Sequence, residues 1–222
     1  MTLPYRVPEA NAGSCYRHGL DVLVAYLPVL LVLGVVVAAL TAAGTSLTRQ
    51  DGMLGLVGMA FGSFIALPAR WGYYAVCLQG VRGRAASEDD LARVRDHYAA
   101  IVVAGVLVTL MVIAGLVLLV VPGIWVYCRT RFVPYLVVRE SLGAVEAISE
   151  SFRLTRGLTG TILGITALGL AASFVGLLML GLGLLPALIW WDLALASLYH
   201  AVIVSPEEAE IEDLRDLFAQ TA

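Results

Sequence analysis

Apolar runs long enough to cross a lipid bilayer pace this chain from end to end, and they limit its fold more than any motif does. A hydrocarbon core takes about 20 apolar residues of helix, and inside it a helix satisfies its own backbone within one segment. Runs of this kind occupy residues 22–43, 53–80, 99–121, 158–181 and 184–204, with a shorter one at 124–138. The expected fold class is all-α: a polytopic membrane bundle of six transmembrane helices in three hairpins. Residues 1–21 are expected to be a cytoplasmic N-terminal segment, with an interfacial helix between Pro8 and Asp21 carrying Tyr16, Arg17 and His18. Residues 22–204 form the transmembrane domain, and residues 205–222 an acidic cytoplasmic tail. The first apolar run exceeds a signal-peptide core, so it is expected to remain as a span.

In the runs 53–80 and 124–138 a proline is read as interrupting the helix pattern. Pro68 removes an amide donor and frees the carbonyl four residues back, at Phe64, which predicts a kink in the over-long run 53–80. Pro134 does the same to Thr130 within 124–138, a stretch of 15 residues that reaches only about 22 Å. Pro122 and Gly123 predict the tight turn between the third and fourth spans.

Amphipathic interfacial helices are expected near 87–97 and 141–156. The first has Ser87 as cap, Asp90 three residues on, and Leu91, Val94 and Tyr98 on one face. In the second, Leu142, Val145, Ile148 and Phe152 share a face, with Glu146, Glu150 and Arg153 elsewhere. The tail reads as a solvated helix with Ile211, Leu214 and Phe218 as a docking stripe.

Charge sets the expected orientation and partners. All 14 basic residues are arginine, and outside the spans every one but Arg49 falls on the side of the termini. The positive-inside rule then places both termini in the cytoplasm, in a multi-pass protein of a bacterial inner membrane. A net charge of -3 excludes a strongly basic nucleic-acid surface. Membrane lipids are the expected partners, with a protein partner possible at the cytoplasmic face through the interfacial helices or the tail. Cys15, Cys77 and Cys128 have no metal-ligand spacing and read as free thiols, so no cofactor or metal is expected.

Four ionisable residues fall at lipid depth in the sequence: Arg70, Arg129, Arg131 and Asp192. A charge at mid-bilayer costs about 3 kcal/mol even on the lenient insertion scale, so each needs a partner or water. Asp192 is expected to pair with Arg129 or Arg131, which either pins two helices or frames a polar cavity for an anionic or zwitterionic head group. Gly58 and Gly62, and Gly160 and Gly164, have the small-xxx-small spacing of close helix packing. His97 and His200 read as solvated residues near span ends. No nucleophile elbow, P-loop or dinucleotide motif is present.

The stretch PARWGYYAVCLQGVRG, the acidic segment after it, VPGIW, and EAISESFRLTRG before a new apolar run together resemble bacterial polytopic proteins related to the membrane domain of glycerophosphoryl diester phosphodiesterases. The resemblance covers roughly residues 67–164 and implies six helices and an inner-membrane home. The catalytic part of such phosphodiesterases is a separate soluble barrel, so their activity does not carry over. The expected function is non-enzymatic: binding, moving or organising a lipid-like or small molecule, or scaffolding membrane partners. Alternatives are an embedded enzyme on lipid head groups using Asp192 with one arginine, and a subunit of a multi-component transporter.

Overall fold

The computed structural model describes residues 7–84, 92, 94–179, 181 and 183–204, and these are helical with no strand among them. In chain order the helices are α1 (Ala12–Thr48), α2 (Met53–Phe61), a π-helical turn (Gly62–Ala66), α3 (Leu67–Val81), α4 (Tyr98–Leu118), α5 (Val120–Arg129), α6 (Val133–Arg139), α7 (Ala144–Leu154), α8 (Thr159–Leu178) and α9 (Leu184–Ile203). Five stretches among the described residues are long and apolar enough to cross a membrane: Ala12–Thr48, Met53–Val81, Tyr98–Leu118, Thr159–Leu178 and Leu184–Ile203. Their outward faces are apolar too, with Val24 71% and Val117 82% exposed, as lipid contact demands. The interfacial helix expected at 87–97 falls mostly outside the described residues, although Val94 to Asp96 are helical. The tail at 205–222 and its stripe of Ile211, Leu214 and Phe218 lie wholly outside them.

The chain divides into two compact units. One comprises Met1–Leu31, Val76–Ala86 and Gly160–Ala222; the other comprises Val32–Ala75 and Ser87–Thr159.

Several boundaries differ from expectation. The N-terminal helix and the first span follow without a loop, and α1 joins two helical stretches across a kink at Tyr26 (φ -113°, ψ 18°), two residues before Pro28. Tyr16 is consequently not a surface residue. It is 7% exposed, its hydroxyl donates to the Ile165 carbonyl of α8 at 2.8 Å, and its own carbonyl accepts from Trp190 Nε1 of α9 at 2.8 Å. The Tyr16 and Trp190 rings meet edge to face at 5.0 Å.

The turn after α4 is not at Pro122 and Gly123. A single extended residue, Leu119 (φ -167°, ψ 149°), reverses the chain, and Pro122 sits in the first turn of α5, where no amide donor is required. Gly123 instead packs on Gly115, where a built Cβ would come within 2.9 Å of the Gly123 Cα. Gly176 and Gly183 face each other in the same manner across the α8–α9 turn, and Gly58 meets Thr48 across the α1–α2 turn. At each of these three turns the adjoining helices therefore meet on glycine.

Both prolines disturb their helices where the missing donor predicts. Upstream of Pro68 the backbone widens into the π turn, with the Leu67 amide bonding back to Gly62, and the freed Phe64 carbonyl accepts from the Tyr98 hydroxyl of α4. Upstream of Pro134 the helix stops at Thr130, whose freed carbonyl accepts from the Val133 amide at 3.2 Å.

Candidate functional site

The break between α5 and α6 gathers polar groups in the second unit, and α7 stitches it. The Ser151 hydroxyl donates to the Arg129 carbonyl at 2.6 Å, while Arg129 Nη1 donates back to the Phe152 carbonyl at 2.7 Å. The Thr130 hydroxyl turns onto the Val126 and Tyr127 carbonyls of the preceding turn. A helix break leaves backbone groups to be satisfied, and these bonds do so. The docking face of α7 is its small, polar one, with Ala147 and Ser151 buried, whereas Val145 is 71% exposed. At the outer edge of α7 Arg153 Nε bonds Glu150 at 2.8 Å, and this hydrogen bond holds the Glu150 carboxyl below its usual range.

Each of the three arginines expected at lipid depth lies against an aromatic ring within its own helix or at its end. Arg129 sits 5.0 Å from the Trp125 ring centroid, Arg131 4.5 Å from that of Tyr127, and Arg70 5.6 Å from that of Tyr74, whose hydroxyl also accepts from Arg70 Nε. Trp125 in turn meets Phe152 edge to face at 5.7 Å, so Arg129 is lodged between a ring and a carbonyl. Its one hydrogen bond goes to that carbonyl and not to a carboxylate, and its buried Nε has no partner among the described residues. Asp192 is half-buried on α9, in the other unit, where its charge acts on Tyr16.

The paired-glycine reading divides. Gly58 makes a close helix approach, since a Cβ there would lie 2.3 Å from the Thr48 nitrogen. Gly62 opens the π turn and lies beside Gly44. Gly164 is in ordinary contact with Ala12, and around Gly160 no atom lies within 4 Å of a built Cβ. Among the tight contacts that the spacing rule misses are Gly115 with Gly123 and Gly176 with Gly183, which are set by the close turns that join their helices.

A second polar cluster, in the first unit, escaped the sequence reading. His200 is buried at 1% exposure and not solvated, and Ser197, one turn before it, is fully covered. Ser197 Oγ lies 3.1 Å from His18 Nδ1 on α1. The pair has the reach of a nucleophile and its base, but a serine with no exposed surface offers no approach to a carbonyl or phosphorus. The missed signal is the three-residue spacing of Ser197 and His200, which puts both on one helix face.

Taken together, the described residues define a helical protein with five helices long and apolar enough to cross a membrane. No protein family, curated protein or solved structure matches the chain.

Proposed function

We propose that this is a non-enzymatic, multi-pass protein of a bacterial inner membrane that binds the anionic head group of a lipid at Arg129. One observation carries the reading: Arg129 holds a permanent charge at the break between α5 and α6, and no carboxylate among the described residues answers it. A planar guanidinium so placed calls for a phosphate, which it can grip through two parallel hydrogen bonds. Trp125 and Phe152 supply the apolar walls against which a glycerol backbone or acyl chain packs. The exposed apolar edge of α7 at Val145 suits a helix lying in the interface beside that head group.

In this reading α5 and α6 together make a sixth crossing. From Val120 to Arg139 they run about 30 Å at 1.5 Å per residue, which gives three hairpins and two cytoplasmic termini. The test is native mass spectrometry of the protein released from membranes containing phosphatidylglycerol and phosphatidylcholine. The wild type is expected to retain phosphatidylglycerol selectively, and Arg129→Gln to lose that selectivity. Equal retention of the two lipids by the wild type, or unchanged selectivity in Arg129→Gln, overturns the reading.

A further inference from the structure

We propose that docking of α7 and binding of a lipid phosphate compete for the Arg129 guanidinium, so that the phosphate frees the last turn of α7 and docked α7 holds the site shut. This regulation presupposes the head-group site at Arg129. A guanidinium offers a phosphate two parallel donors along either of two edges, Nε with Nη2 or Nη1 with Nη2. Neither edge of Arg129 is open. Nε is buried, Nη1 is held by the Phe152 carbonyl at 2.7 Å, and the Trp125 ring covers one face with its centroid 5.0 Å away. Presenting either edge means turning the side chain or giving up the carbonyl, and both break the tie to α7.

The carbonyl has its own need of Arg129. Phe152 stands in the last turn of α7, and the amide four residues on, that of Arg156, bonds to Arg153 instead, so the carbonyl is one of those that a helix end leaves over. The same end of α7 carries the negative pole of the helix dipole, which favours the arginine and disfavours an anion brought beside it. Hydrogen bonding and electrostatics thus set a phosphate against the docked helix.

The mounting of α7 suits such a displacement. A second polar tie to the break is the Ser151 hydroxyl on the Arg129 carbonyl, which leaves the guanidinium untouched. The chain enters α7 through Ser141, whose φ of 57° is left-handed and costs energy in a residue other than glycine, and leaves it through Gly157 at φ 81°. A shift of α7 that lets Ser141 out of this conformation recovers that cost. Coupling of this kind is reciprocal, so a change that weakens docking strengthens head-group binding.

The test places the protein in phosphatidylcholine nanodiscs with a rising share of phosphatidylglycerol and reads hydrogen exchange of the α7 amides beside lipid retention by native mass spectrometry. In the wild type α7 is expected to exchange about fivefold or more faster with phosphatidylglycerol than without it, while α4 is unchanged. In Ser151→Ala the transition should come at about a fivefold lower share of phosphatidylglycerol, the weight of one hydrogen bond. Ser149→Ala, the same change at an exposed position of α7, should match the wild type. Arg129→Gln should leave α7 fast in both lipids. If Ser151→Ala does not fold, wild-type exchange decides alone. Selective retention of phosphatidylglycerol with α7 exchange unchanged or slowed overturns the competition and leaves the head-group site standing, whereas absence of selective retention overturns both. An equal transition in folded Ser151→Ala and wild type, or a phosphatidylglycerol-dependent rise that persists in Arg129→Gln, also overturns the competition.

Discussion

The Tyr98 hydroxyl donates to the carbonyl of Phe64, the group that Pro68 releases by lacking an amide hydrogen. Tyr98→Phe is expected to leave that carbonyl without a donor in a membrane-facing stretch, at a cost of about 1–3 kcal/mol. In a Pro68→Ala background the restored amide can take the carbonyl up, so the same substitution should cost much less. A double-mutant cycle of unfolding free energies measures this. Equal costs in the two backgrounds would show that Tyr98 serves some other purpose.

Gly58 and Gly160 should respond oppositely to alanine. At Gly58 the new methyl would meet the α1 backbone at 2.3 Å, so the α1–α2 hairpin must open, at about 1–3 kcal/mol. At Gly160 the methyl meets nothing within 4 Å among the described residues, and the helix-propensity gain leaves the variant unchanged or up to about 1 kcal/mol more stable. Thermal unfolding of the two variants side by side is the check.

Glu150 titrates low because Arg153 bonds to its ionised form. A carboxyl with a lowered folded value contributes stability above its ordinary value and loses it as pH falls through the folded one. Both side chains are surface groups, so the effect on global stability is small. The sharper readout is the Glu150 carboxyl chemical shift by NMR. Its midpoint should move up to the ordinary range in Arg153→Gln, and an unmoved midpoint would remove Arg153 as the cause.

Cys15, Cys77 and Cys128 are free thiols with no exposed surface. Maleimide labelling of the folded protein is expected to be slow at all three and to rise to completion together on denaturation. Rapid labelling of one site would mark a local opening at that helix.

Features that depend on one residue's own chemistry were legible in the sequence. A missing amide hydrogen is a local fact, so Pro68 and Pro134 locate broken helix at Phe64 and Thr130 without knowledge of what packs there. Pro122 and Gly123 misled because both residue types favour turns, yet proline is equally at ease in the first turn of a helix, and the reversal falls earlier, at Leu119. Tyr16 and His200 could not be read, because their burial comes from distant parts of the chain: Tyr16 is covered by Ile165 and Trp190, 149 and 174 residues away. The arginines were legible as costly charges, but not their aromatic neighbours. Trp125 and Arg129, Tyr127 and Arg131, and Arg70 and Tyr74 each stand one helical turn apart, a spacing that reads first as ordinary interface composition.

The position of Tyr16 also bears on how the protein is made. Its hydroxyl and carbonyl take partners 149 and 174 residues further along the chain. The segments of the second unit, between residues 32 and 159, therefore leave the ribosome before α8 and α9 of the first unit do. A chain halted before α9 would keep the Tyr16 hydroxyl on Ile165 but lack the Trp190 ring and indole N–H that cover Tyr16. The start of α1 would thus stay unlocked until α9 arrives, so the first helix made is among the last to be fixed.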